Sequence, residues 1–135
     1  MISIVVWPPE PAPPDVVDDM KALGLFGLSI PEEYGGLGLG MEDEALVAME
    51  FGRTSPAFRS VFGSTVGIGS QGIVMDGTDA QKRAYLPRLA SGELISSFCL
   101  TEPEAGSDAA SLRTRARRDG DSYVLDGTKR FITNA

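Results

Sequence analysis

The hydrophobic period of this 135-residue chain changes near residue 92, and that change limits the folds open to it. Up to there, apolar residues recur at helical spacing; beyond it they alternate with polar ones. Val16, Met20 and Leu23 fall on one helical face after a capping Asp15, and Gly24 supplies a stop. The stretch LFGLSIPEEYGGLGLG, with Pro31 and its glycines, reads as a loop. Residues 42–52 form a second amphipathic helix with Leu46, Met49 and Phe51 on its apolar side and an acidic first turn that suits the helix dipole. Pro56 opens a third helix through Ala57, Phe58, Val61 and Phe62. Thr78 and Gln81 make a capping box for a fourth, which carries Tyr85, Leu86 and Leu89, is kinked or ended by Pro87, and is closed by Gly92. From Ile95 to Thr101 the pattern alternates as in a strand. Further strands are expected at 112–118, 121–126 and 128–133, with Asp119-Gly120 and Asp126-Gly127 as hairpin turns between them.

The expected fold class is therefore α+β: an all-α helical domain over residues 15–93, then the first antiparallel strands of a β-domain over 94–135, which stops without a closing element. Before both lies PPEPAPP, so residues 1–14 read as an extended, flexible proline-rich arm that packs little.

Charge and composition narrow the chemistry. The net charge is -7, which argues against binding polyanions such as nucleic acid or an anionic membrane surface. No apolar stretch reaches the ~20 residues of a membrane span. The single cysteine, Cys99, excludes an internal disulfide and fits a reducing compartment, so a soluble cytoplasmic protein is expected. There is no histidine, which removes the commonest general base and the commonest zinc ligand. No metal site is expected. Chemistry must come from carboxylates, hydroxyls or a bound cofactor.

Three motifs compete for a functional role. Gly67-Ile68-Gly69-Ser70-Gln71-Gly72 matches the dinucleotide pattern GxGxxG, but a helix precedes it and no acidic residue stands at the distance needed to hold a ribose. Small residues that let helices approach closely are the plainer reading, with residues 66–75 helical. Arg113, Arg115, Arg117 and Arg118 form a basic cluster without interleaved aromatics, as on a solvated strand face. In FCLTEPEAGSD, a strand ends in a hydroxyl residue, a proline forces a turn, and Gly106-Ser107-Asp108 presents backbone donors and a hydroxyl. Such a turn suits an anion like a pyrophosphate, and equally suits a plain capped turn.

FCLTEPEAGSDAASL closely resembles the signature of the acyl-CoA dehydrogenase family. GLFGLSIPEEYGGLGLG, GTDAQKRAYLPRLASGE and GTKRFITNA resemble the same family, in the same order, so the resemblance runs from about Met20 to Ala135. It implies a helical N-terminal domain, a middle β-barrel and a C-terminal bundle, with FAD between the last two. By that resemblance the backbones of Phe98 and Leu100 line the flavin and Thr101 hydrogen-bonds its pyrimidine edge. Gly106 and Ser107 form the turn near the pyrophosphate and the bound thioester, which makes Ser107 a substrate contact as well. Phe131 stands where the family often has tryptophan, and Thr133 takes the place of the hydroxyl that bonds flavin N5. Phe98 and Phe131 as plain core, and Ser107 with Asp108 as a helix cap, remain the alternatives.

The family reaction is α,β-dehydrogenation of an acyl-CoA: a carboxylate removes the α-proton while the β-hydrogen leaves as hydride to the flavin. An electron-transfer flavoprotein usually takes the electrons, and members are usually homo-oligomers. The base is a C-terminal-domain glutamate in most members, with no counterpart here. Glu102 and Glu104 are rejected as substitutes, so no catalytic residue is assigned. An acyl-CoA oxidase or a flavin monooxygenase of the same fold, and a non-catalytic helical interaction module, are the competing functional readings.

Overall fold

The computed structural model describes residues 2–5 and 12–134. It divides into a helical unit, residues 12–97 with Asn134, and a β unit, residues 2–5 and 98–133.

In the helical unit, α1 spans Pro14–Ala22 with proline in the first turn, where its missing N–H costs nothing. Val16, Val17 and Met20 face the core, whereas Leu23, expected on that face, caps the helix end and is exposed. Gly24 ends the helix with φ +73°, a left-handed stop.

The segment expected to be a loop supplies much of the core. Leu25–Gly27 and Glu32–Tyr34 form single 3-10 turns; Phe26 in the first and Ile30 between the two are completely buried. Residues 36–39 fold back on them: Leu37 N–H bonds the Gly27 carbonyl at 2.8 Å, Leu39 N–H that of Leu28 at 2.7 Å, and Gly38 N–H that of Ile30 at 2.9 Å. The close return needs glycine. A Cβ at Gly36 would stand 2.0 Å from the Ile30 carbonyl oxygen, a backbone atom that cannot swing aside. Gly36→Ala is expected to destabilise the helical unit by about 2–3 kcal/mol, the upper range for overpacking, read from the urea midpoint at unchanged m-value.

Helix α2 spans Met41–Phe51, with Glu42, Asp43 and Glu44 in its first turn. Its inward face is Val47 and Phe51, four residues apart; Leu46 and Met49, expected there, are exposed. Helix α3, Pro56–Ser64, is capped by the Ser55 hydroxyl and buries Phe62. A π-helical segment, Thr65–Gly69, leads directly into α4, Gln71–Asp76, so residues 66–75 are helical as expected and the glycine motif is no nucleotide loop. The wide π turn displaces its carbonyls from α-helical pairing. Ser29 Oγ donates to the Val66 carbonyl at 2.9 Å, Ser70 Oγ does so at 3.2 Å, and Gln71 Nε2 steadies Ser29 Oγ at 3.0 Å. Helix α5, Asp79–Ala90, starts on the expected Thr78–Gln81 capping box. It runs past Pro87 and packs Leu86, Leu89 and Ala90 against Ile30.

In the β unit, β1 (Ile2–Val5), β2 (Arg115–Asp119) and β3 (Ser122–Arg130) form a sheet in the order β1-β3-β2. β2 and β3 pair antiparallel through a two-residue loop, Gly120-Asp121; Gly120 has φ +60°, the sign a type II′ connection requires of its first residue. Three expectations are corrected here. Residues 121–126 and 128–133 are not two strands around an Asp126-Gly127 turn: β3 runs straight through to Arg130. Residues 95–101 form no strand. And within the arm expected to pack little, Ile2–Val5 pairs in parallel with Gly127–Arg130. These four residues precede the first proline, so their ladder donors are intact. The rest of the proline-rich run up to Pro11 lies outside the described residues.

Candidate functional site

Of the expected site residues, Leu100 and Thr101 lie beside the C-terminal end of β3, and Phe131 and Thr133 follow it in the chain. The backbone N–H of Arg130, the last residue of β3, bonds the Thr101 carbonyl at 2.9 Å, which lays the Leu100–Thr101 segment beside the strand end. Phe131, Ile132 and Thr133 then leave the strand. Phe131 has φ +58°, a backbone region that bulky L-residues rarely enter, and the residue is 73% exposed. The Arg130 guanidinium lies 4.4 Å from the ring centroid. Phe98 is also exposed, while Ile132 between the two exposed site positions is buried. Neither Phe98 nor Phe131 is buried among the described residues. Among the described residues, the hydroxyls of Thr101 and Thr133 make no hydrogen bond.

Gly106 and Ser107 sit further on, after a tight turn in which Glu102 N–H bonds the Ala105 carbonyl at 2.8 Å. Both are exposed, and a Cβ at Gly106 would meet nothing within 4 Å. The Ser107 hydroxyl caps no helix; the short turn at Ala109–Ser111 instead carries a bond from Ser111 Oγ to Asp108 Oδ2.

The resemblance implies a structural use of Glu102; the partner that sequence reasoning missed is Lys129. Glu102 and Lys129 form a buried ion pair at 3.0 Å, with side chains 5% and 8% exposed. The Glu102 carboxylate also accepts from Arg113 N–H at 2.7 Å, Thr114 N–H at 2.9 Å and the Thr114 hydroxyl. Lys129 Nζ donates in addition to the Leu100 carbonyl at 2.9 Å. Nothing in the sequence shows on which face of β3 Lys129 lies, and a Thr-Lys-Arg run reads as solvated.

The Thr114 hydroxyl, then the Arg113 N–H and Lys129, hold the Glu102 carboxyl down from 4.5 to about 2, against the opposing effect of burial. A carboxylate so acidic and so enclosed is a poor proton acceptor near neutrality. The folded value lies below the unfolded one, so the contribution to stability is full above about pH 4.5 and is lost as pH falls toward about 2. Amide exchange of the β2–β3 hairpin should show protection falling across that window, and Glu102→Gln should flatten the dependence there.

The basic cluster is solvated: Arg113, Arg115, Arg117 and Arg118 are all exposed, Arg117 lies 3.9 Å from Asp119, and Arg118 Nε bonds the Gly120 carbonyl. Among the described residues, no group of three or more metal-ligating side chains occurs, and no helix is long and apolar enough to cross a membrane.

An aromatic face exposed at a strand end, a backbone held in a rare conformation, two unpaired hydroxyls and an open glycine turn are features that fit a planar, heteroatom-rich ring with an anionic tail. They fit FAD. Comparison with known proteins reaches the same family. Residues 7–93 match the acyl-CoA dehydrogenase N-terminal domain and residues 97–135 the acyl-CoA dehydrogenase middle domain. The chain belongs to the acyl-CoA dehydrogenase family. It is 45% identical over 126 residues to (2S)-methylsuccinyl-CoA dehydrogenase of Cereibacter sphaeroides, covering 93% of this chain and 23% of that protein. It superposes with TM-score 0.80 and 46% identity on an acyl-CoA dehydrogenase from Bacillus anthracis complexed with FAD, over 87% of this chain and 20% of that one. A structure described as the electron transferring flavoprotein of Acidaminococcus fermentans matches with TM-score 0.82 and 39% identity, over 87% of this chain and 31% of that one. The chain thus spans between about a fifth and a third of the length of these proteins.

Proposed function

We propose that these residues are the helical and flavin-edge portion of an FAD-dependent acyl-CoA dehydrogenase, acting in fatty-acid or related acyl-CoA metabolism. The observation that supports the reading is the Arg130–Thr101 bond, which holds Thr101 at the end of β3, one residue before Phe131. Bound FAD would supply the acceptor for a two-electron oxidation of the acyl thioester.

The chain's own part is to bind, orient and exclude water. The Phe98 and Leu100 backbones and the Thr101 hydroxyl would hold the pyrimidine side of the ring, and the Thr133 hydroxyl its N5 side. Phe131 offers an aromatic face but no donor, unlike the tryptophan common at this place. Gly106 and Ser107 would take the pyrophosphate end, with Ser107 also at the thioester; with no Cβ, Gly106 lets the phosphates approach the backbone. The base that takes the α-proton comes from outside these residues. By the same family resemblance, an electron-transfer flavoprotein would take the electrons. A homo-oligomer and a reducing, cytoplasmic setting complete the proposal.

The test is anaerobic. The gene product that carries this chain is purified, its flavin spectrum recorded, and acyl-CoA thioesters of graded length added. One bound flavin per chain, bleached by at least one thioester, is expected. A colourless protein, or a flavin that no thioester reduces, overturns the proposal.

A further inference from the structure

We infer that Glu102 and Lys129 together are positioning residues for the flavin-binding edge: they fix the Leu100–Thr101 segment and the turn that follows it. The inference rests on the flavin reading above, because it assigns a role toward the same edge.

The geometry is specific. Two consecutive carbonyls are held by two consecutive residues of β3: Lys129 Nζ takes the Leu100 carbonyl at 2.9 Å, and Arg130 N–H takes that of Thr101 at 2.9 Å. One of these anchors is a side chain whose direction is set by Glu102, 3.0 Å away. Glu102 is in turn fixed by two backbone N–H groups and one hydroxyl from Arg113 and Thr114, just ahead of β2. The carboxylate therefore ties three stretches of chain together: the Leu100–Thr101 edge, the lead-in to β2, and the end of β3. Its own backbone N–H closes the turn toward Gly106 and Ser107.

A buried ion pair is a weak source of net stability, since desolvation offsets most of the attraction. An apolar pair of similar size would hold the unit together as well. It would not hold the Leu100 carbonyl, and it would leave the Arg113 and Thr114 N–H groups unmatched. What the charged pair adds is direction.

The experiment follows FAD binding by NMR, titrating FAD to millimolar concentration into the 135-residue chain and reading the amide signals of Leu100 and Thr101. Glu102→Gln, Lys129→Met, Lys129→Arg and the double variant Glu102→Gln/Lys129→Met are compared with the unaltered chain. The double variant leaves no lone buried charge and so serves where a single variant fails to fold. Exchange protection of the β2–β3 hairpin amides reports on structure separately. The expected result is that Lys129→Met and the double variant lose most of the FAD response at Leu100 and Thr101, because a further fall of about tenfold to a hundredfold, the range for a lost charged hydrogen bond, takes the weak binding of this chain past the titrated range. Lys129→Arg should recover part of it, and hairpin protection in the double variant should stay within about threefold of the original (under ~1 kcal/mol). Equal affinity in all variants overturns the inference, as does affinity lost only in step with hairpin protection. If FAD leaves Leu100 and Thr101 unmoved in the unaltered chain, the flavin reading itself fails and the inference with it.

Discussion

Phe26→Ala is expected to cost the helical unit about 3–5 kcal/mol, the range for removing a fully buried aromatic ring. Phe26 is completely inaccessible. Its ring meets the edge of Phe62 at 6.5 Å and 74°, and Phe62 in turn meets Phe51 at 4.9 Å and 66°. The chain of rings joins the segment after α1 to α3 and α2, so one truncation loosens three elements. The cavity cannot collapse easily. Phe26 also lies under Gly92, where an added Cβ would stand 2.8 Å from its ring, and the φ of +71° at Gly92 is one that side-chain-bearing residues rarely adopt. A small domain has only about 5–15 kcal/mol of stability in all. Chemical denaturation followed by far-UV circular dichroism should show the midpoint fall steeply or the cooperative transition vanish. Phe26→Leu should recover most of the loss, because it refills the volume. A loss below ~1 kcal/mol in the alanine variant would mean that the core is organised around other residues.

The helices were legible because their ends are chemical. Thr78 and Gln81 form the capping box that their spacing announces, Pro56 opens its helix, and Gly24 takes the left-handed stop. The core segment was not, since Phe26, Leu28 and Ile30 lie in 3-10 turns and folded-back backbone that follow neither period. Gly127 misled for a different reason. Asp-Gly is a strong turn signal, yet this glycine lies within β3 because a Cβ there would stand 2.2 Å from Thr114 Oγ1. The alternation over residues 95–101 did not become a strand, for it takes one rung from Arg130 and no more of a ladder. As for the site, Phe98, Thr101, Phe131 and Thr133 were singled out by resemblance. The pairing of Thr101 with the end of β3 is tertiary and encoded by no local pattern, and so is the Glu102–Lys129 pair.

The 135-residue chain alone is expected to show no acyl-CoA dehydrogenation and to bind FAD orders of magnitude more weakly than a complete family member. Removing an α-proton from a thioester needs a base within hydrogen-bond reach and with a pKa near the working pH. Glu102 is enclosed by donors and held at about 2. Glu104 is exposed on the turn, where no side-chain hydrogen bond fixes it among the described residues. With no histidine in the sequence, the commonest alternative is absent as well. For the cofactor, the chain offers a ring edge and part of a pyrophosphate turn, and the resemblance places the other FAD contacts on domains beyond these residues. Each 1.4 kcal/mol of missing contact lowers affinity about tenfold, so several missing contacts remove several powers of ten. The exposed face of Phe131 stays wet in such a partial complex, which adds to the loss. The measurement is a titration of the purified chain with FAD, followed by anaerobic addition of acyl-CoA. Weak, millimolar binding and no bleaching are expected. A stoichiometric yellow complex that bleaches would show that Glu104 or another local acid serves as the base, and that the family's other domains contribute less to the chemistry than proposed.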